Sequence, residues 1–287
     1  ARWREEVSDL NSIPFPDFSD FNIGSYYSGC SLPILFNRGC LRRCVFCNCA
    51  VTWKKFRSRS GENIFSEMKT QLQRYPQVQK FEVVDTALNL NVNALSKLCE
   101  FIIQEQLPIR WGGAAMLHPN TTYELLLKMK QAGCENIGYG LESGSQKIID
   151  RMNKGFKIED AERIIRDTHN AGIEVTVGII VGFPGETRDD FKLTMDFIAR
   201  NKDYIDIVSD PSECYIGDNT YLYRHYEDFG VVMDKGVWFT RDGTNTPEER
   251  KKRINEFNEF IKSLGITMHN YATVYNKEEG SKESLKR

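Results

Sequence analysis

No hydrophobic run in this sequence is long enough to cross a bilayer. The longest, Val175 to Phe183, is broken by glycines and falls well short of the ~20 apolar residues a spanning helix needs. Charge of one sign is also lacking. The chain has 38 Lys and Arg against 40 Asp and Glu, a net charge of −2, so composition carries no signal for a nucleic-acid partner or a membrane surface. No secretory leader is evident, and the chain opens at Ala1 without a methionine, as a processed or excised piece would. Repeats and low-complexity blocks do not stand out. A disulfide framework is missing too. Of the 8 cysteines, Cys30, Cys49, Cys99, Cys134 and Cys214 are scattered and the rest are bunched. That usage points to a metal site in a reducing compartment, and so to a cytoplasmic protein.

The bunched residues are Cys40, Cys44 and Cys47, a C-x3-C-x2-C loop that follows the apolar run Leu32 to Phe36. This spacing predicts three thiolates converging at the exit of a buried strand. Two readings fit them: a zinc or redox-thiol site, and an iron–sulfur cluster held by three cysteines with one iron left open. Zinc prefers a fourth protein ligand and often paired C-x2-C units, and the sequence contains no second pair. Cys49, close by, is expected to point away as an ordinary thiol.

The 287 residues, 40% of them hydrophobic, suffice for one large domain or two small ones. Short apolar segments alternate with helical periodicity along most of the chain. Strands are predicted at 32–36, 80–85, 109–113, 136–141, 174–181 and 204–208, with helices between them. Such alternation predicts a parallel α/β architecture with right-handed crossovers, either an open sheet or a barrel-like curl. In both, chemistry belongs at the C-terminal strand ends. The cysteines, Asp85, Glu142 and the stretch Gly182 to Glu186 all fall there. Beyond residue 210 the rhythm loosens into an aromatic-rich stretch from Tyr215 to Phe239, a last helix at 247–264 and a charged tail from Lys277. The aromatic stretch reads either as a lining for the substrate side of the cavity or as lid and core packing.

Taken together, these residues resemble the radical S-adenosylmethionine (radical SAM) enzymes. The resemblance rests on the cysteine loop with Phe46 before its third cysteine, on Gln131 to Gln146 followed by Met152-Asn-Lys-Gly155, and on Gly178-Ile-Ile-Val-Gly-Phe-Pro-Gly-Glu-Thr187. It spans roughly residues 30 to 265. The segment Ile13 to Phe21 is similar to the connector that precedes this domain in the cobalamin-binding subgroup, although no cobalamin-binding domain is visible. The fold implied is a partial (β/α)6 TIM-like barrel over 33–210, with an N-terminal connector over 1–32. A C-terminal helical and irregular extension would cover 211–287.

The resemblance also implies roles. Cys40, Cys44 and Cys47 would hold a 4Fe-4S cluster. SAM would chelate the open iron and be split to a 5′-deoxyadenosyl radical that acts on a substrate the sequence does not identify. The alternatives are a cobalamin-dependent radical SAM methyltransferase whose cobalamin domain is missing, and a non-catalytic iron–sulfur or metal-binding electron-transfer protein. Phe46 would touch the adenine of SAM, against a bland reading as core. Asp85 and Thr86 would meet its amino group, against a helix cap. Glu142 and Ser143 would meet its ribose or methionine moiety, against a structural ion pair. Backbone from Ile180 to Gly182 would lie against adenine, and Glu186 would serve the helix dipole. Relatives commonly carry an arginine where Met116 stands; His118, Arg163 or Arg166 would have to replace it. Arg38, Arg42, Arg43, Lys54, Lys55, Arg57 and Arg59 would form a docking patch for an acidic flavodoxin or ferredoxin, or merely a solvated face.

Overall fold

The computed structural model describes residues 5–25 and 31–269. Cys30 and the charged tail from Lys277 lie outside them. One parallel sheet carries the fold. Its strands are β1 (Ser31–Ile34), β2 (Lys80–Val83), β3 (Arg110–Ala115), β4 (Cys134–Glu142), β5 (Glu174–Val181), β6 (Ile207–Ser209) and β7 (Thr267–His269). They pair in that order, and Ser212–Glu213 adds a short strand beside the end of β5. Among the described residues β1 and β7 are not paired with each other, so the sheet is a partial barrel.

Helices connect the strands: α1 (Gly61–Arg74), α2 (Val92–Gln104), α3 (Tyr123–Gln131), α4 (Gln146–Arg151), α5 (Ile158–Asn170), α6 (Arg188–Arg200) and α7 (Pro247–Ser263). Their starts are written in the sequence. The side chains of Ser60, Asn91, Thr122, Thr187 and Thr246 accept from the first-turn N–H groups of α1, α2, α3, α6 and α7. At α6 Thr187 and Asp190 cap each other's backbone reciprocally. Pro247 opens α7, where its missing N–H costs nothing.

β7 was not anticipated. Three residues carry too little pattern to register as a strand, yet Thr267–His269 pairs in parallel with Ile207–Ser209 and extends the sheet. The first strand ends two residues earlier than predicted, where Phe36 N–H turns to the Asp85 carboxylate.

The packing divides into two apolar clusters. The larger fills the barrel and the helix–sheet interface, with Trp111, Tyr139, Phe81 and Phe191 fully buried. The smaller lies beneath the cysteine loop. There Val45, Met152, Phe183, Leu222, Val231 and Trp238 pack together, with Phe46 and Ile180 against them. Residues 214–238 therefore contribute core packing, while Tyr215 and Tyr221 face solvent. Among the described residues no helix is long and apolar enough to cross a membrane.

Candidate active site

The cysteine loop leaves β1 and is zipped closed at its base. Asn37–Arg38 pairs antiparallel with Arg57–Ser58, and Arg59 N–H donates to Phe36 O at 2.9 Å. Gly39 has φ +87°, and a Cβ there would sit 2.6 Å from Lys55 O, so the base admits only glycine. The loop is then pinned to its surroundings. Val45 N–H donates to Met152 O (3.1 Å) and Leu222 N–H to Val45 O (2.8 Å). The Asn153 side chain donates to Arg43 O at 2.9 Å. Arg43 itself reaches Cys40 O.

Cys40, Cys44 and Cys47 are half-buried free thiols on this pinned loop. Backbone N–H groups of Arg42 and Cys49 point at the sulfurs of Cys40 and Cys47, each at 3.4 Å. Burial pushes the Cys44 thiol up to about 11, and the cation that pulls it back is Lys154. Lys154 Nζ pairs with Glu142 at 2.8 Å, with both side chains nearly buried, and lies 6.0 Å from the Phe46 ring centre. Thiols, an ion pair and an aromatic ring thus meet over the ends of β1 and β4.

The three sulfurs neighbour one another, since Cys47 and Cys40 both add to burial's upward push on the Cys44 thiol. Among the described residues no three His, Cys, Asp or Glu side chains gather closely enough to hold a single metal ion. A cubane cluster makes no such demand, because each cysteine binds a different iron corner.

Several residues expected to meet SAM are bonded within the protein. Asp85 does not offer a free carboxylate. Its oxygens accept from Phe36 N–H (3.1 and 3.0 Å), from Asn37 N–H (2.8 Å) and from the Asn37 side-chain amide. Thr86 Oγ1 donates to Gly39 O at 2.8 Å. Both residues brace the strand that feeds the cysteine loop. Ser143 is fully buried and bonds Thr194 Oγ1 (3.2 Å) and Ser145 N–H (3.1 Å), joining the end of β4 to α6. Gly182 has both backbone polar groups engaged: its N–H by Glu186 (2.8 Å) and its C=O by Asn245 (2.9 Å). Glu186 immediately precedes Thr187, the cap of α6. It is buried, held by Arg253 at 3.2 Å, and its carboxyl is pushed up to about 7 by burial.

The candidate replacements for an arginine near Met116 also resolve. Arg163 is tied to Pro119 O (3.1 Å) and Thr121 O (3.2 Å), and Arg166 lies exposed on α5. Met116 N–H and C=O are both clamped by the Asn89 side chain at 2.8 Å. Cys49 does not turn away from the other sulfurs. It is half-buried, and its thiol is pushed up to about 11 by burial and by the neighbouring Cys40 and Cys47. Of the basic patch, Arg59 is buried against Glu67 at 2.5 Å and Arg57 pairs with Glu6 at 3.5 Å. Arg43, Lys54 and Lys55 remain exposed.

The profile of the Radical SAM superfamily matches residues 34–198. The chain belongs to the radical SAM superfamily. An uncharacterised methyltransferase of Pyrococcus horikoshii is 27% identical over 202 residues, covering 69% of this chain and 43% of that protein. Bacteriochlorophyllide d C-12(1)-methyltransferase of Chlorobaculum tepidum is 26% identical over 202 residues, covering 68% and 44%. The radical SAM methyltransferase TsrM from Kitasatospora setae, solved with cobalamin and a 4Fe-4S cluster, superposes with a TM-score of 0.62 at 17% identity. That match covers 79% of this chain and 44% of TsrM. The chain spans less than half the length of each of these relatives.

Radical SAM proteins use a 4Fe-4S cluster and SAM. The donor set here fits such a cluster: half-buried thiols on a rigid loop, backbone N–H groups directed at two sulfurs, and a cation beside the third. Lys154 is the site residue that the sequence reading passed over. It stands in the Met152-Asn-Lys-Gly155 stretch. The signal was there, because a lysine that closes a short helix just past a strand-end glutamate is placed to fold back on it.

Burial holds the Asp85 carboxyl up at about 7, with the Asn37 and Phe36 N–H groups opposing. The sign follows. An acid whose folded value is raised contributes stability that is fully present below its ordinary value of 3.8 and is lost as pH rises through about 7. Thermal melts of the wild type and Asp85→Asn across that window should show the wild type losing ground to the variant as pH rises. Parallel curves would contradict this assignment.

Proposed function

We propose that this chain is the catalytic barrel of a radical SAM enzyme, with Cys40, Cys44 and Cys47 as cluster ligands. The observation that carries the reading is the pinned loop of three free thiols beside the Glu142–Lys154 pair at the strand ends. The chemistry such a cluster supplies with SAM is one-electron cleavage of the sulfonium, giving methionine and a 5′-deoxyadenosyl radical. The chain's own residues supply place and shelter. Phe46 and Ile180, half-buried beside Phe183, offer an apolar face suited to adenine. Glu142 is held by Lys154, which lies beside the Phe46 ring, and its carboxylate suits a hydroxyl or ammonium donor. The packed barrel excludes water from a reactive carbon centre.

Anaerobically reconstituted, reduced protein should convert SAM to 5′-deoxyadenosine. Iron-loaded protein that binds SAM and leaves it intact under strong reductant would overturn the reading, and would favour a non-catalytic electron carrier.

A second reading, transfer of a methyl group with cobalamin, is favoured by the methyltransferase names of the relatives and by the docked N-terminal segment. Phe18 N–H donates to Tyr75 Oη (2.8 Å) and Gln71 to Pro16 O (2.8 Å), so residues 13–21 lie against α1 at the β1 edge. Added cobalamin that leaves SAM turnover and product unchanged would count against it.

Reduction by a flavodoxin or ferredoxin in a reducing cytoplasm suits the exposed Arg43, Lys54 and Lys55, with Leu41 57% exposed among them. Lys54→Glu with Lys55→Glu should slow cluster reduction by such a donor by about tenfold at low salt, with the gap closing as salt rises. Dithionite reduction serves as the control and should not change.

A further inference from the structure

The cysteine loop carries a cation that the cluster does not need. The loop's other arginines are mostly engaged, Arg57 with Glu6, Arg59 with Glu67 and Arg43 with Cys40 O. Among the described residues Arg42 has no carboxylate partner. Its guanidinium instead rests on Gly155, where a Cβ would stand 2.2 Å from Nη1 and 2.9 Å from Cζ. Gly155 has φ +69° and leaves a notch that any side chain would fill. The arginine is therefore seated across the barrel mouth.

On its other side Arg42 faces a cleft of about 520 Å³ between the ends of β2 and β3. His118 and Asn120 line it, as do Asn89 and the first residues of α2, and no carboxylate does. His118 Nδ1 accepts from Asn120 N–H at 3.1 Å, which leaves its Nε2 as the donor. Burial and the nearby Arg42 both lower the His118 pKa, which favours the neutral ring. The N-terminus of α2, a thirteen-residue helix capped by Asn91, adds its positive end.

From this juxtaposition we infer that Arg42 and His118 form an oxyanion subsite at the mouth of the barrel, built for a carboxylate or phosphate. The unpaired guanidinium supplies charge and a bidentate fork, the imidazole a neutral N–H, and Gly155 holds the fork in place. Two sources have this chemistry: the substrate, or the carboxylate of bound SAM. Only the second source depends on the reading proposed above.

Inorganic phosphate is the probe, titrated calorimetrically into cluster-loaded protein in three arms: alone, with SAM, and with decarboxylated SAM. Saturable binding is expected alone, weakened by about tenfold or more in Arg42→Ala, partly kept in Arg42→Lys, and weakened less in His118→Phe. Cluster absorbance checks that each variant is intact. Phosphate that still binds in the presence of SAM assigns the subsite to a substrate anion. Phosphate displaced by SAM but not by decarboxylated SAM assigns it to the SAM carboxylate. Either result supports the subsite. Affinity unchanged in Arg42→Ala, or no saturable binding in any arm of intact wild type, overturns it. Failure of the radical SAM reading would look different, as wild type that does not bind SAM while the phosphate-alone arm still reports on Arg42.

Discussion

Cys44→Ala protein, reconstituted anaerobically with iron and sulfide, is expected to hold no 4Fe-4S cluster and to yield no 5′-deoxyadenosine, while Cys49→Ala keeps both. Three thiolates are the minimum protein set for a cubane with one open iron, so removing one leaves two irons without protein ligands. The loop itself should survive, because it is pinned by backbone bonds from Val45 to Met152 and from Leu222 to Val45 that do not involve the thiol. Far-UV circular dichroism should therefore match wild type, which separates ligand loss from misfolding. Cys49 makes the sharper comparison, since it sits beside Cys40 and Cys47 and is half-buried as they are. What it gives the cluster site is its backbone N–H to Cys47 Sγ, and alanine retains that. Iron that stays bound in Cys44→Ala, or is lost in Cys49→Ala, would show that the ligand set has been misassigned.

Much of this was legible because strand–helix alternation and capping residues are local signals. Strands β2 to β6 match their sequence-based bounds within a few residues, and the cysteine loop, Glu142 and the glycine stretch all lie at C-terminal strand ends. Direction was harder to read. Asp85 and Ser143 stand at strand ends as expected but turn into the protein, since both groups satisfy nearby backbone or hydroxyl partners. The irregular register between Gly140 and Glu142, with Glu142 at φ +66°, resets which side chains face the cavity, and no simple alternation encodes it. The seventh strand was missed because its three residues are defined by their pairing with β6 rather than by any periodicity. Arg42 looked like one of seven loop cations, and only the notch at Gly155 sets it apart.

The C-terminal helix lies beyond the stretch matched by the family profile, yet it completes the site. Arg250, 2% exposed, stacks 3.9 Å from the Trp238 ring centre. It donates to Glu213 (3.0 Å), Asn245 Oδ1 (3.2 Å) and Trp238 O (3.1 Å). Its Cγ and Cδ occupy the space where a side chain on Gly182 would begin, 2.5 Å from an ideal Cβ. One buried side chain thus ties α7, the Ser212–Glu213 strand and the turn after β5 together. Glu213 is 47% exposed at its side chain, so it can turn to water when the arginine goes. Asn245 and Trp238 O cannot, and a cavity opens under Gly182. Arg250→Ala is therefore expected to cost about 3 kcal/mol of stability. It should also weaken SAM binding by about tenfold through a loosened Ile180–Gly182 backbone. Arg250→Met keeps the alkyl contact with Gly182 but loses the guanidinium over Trp238 and the hydrogen bonds. If the alkyl wedge sets the backbone, this variant should recover SAM affinity while staying less stable than wild type. Loss of stability with unchanged SAM affinity in both variants would make Arg250 a core residue with no bearing on the cofactor.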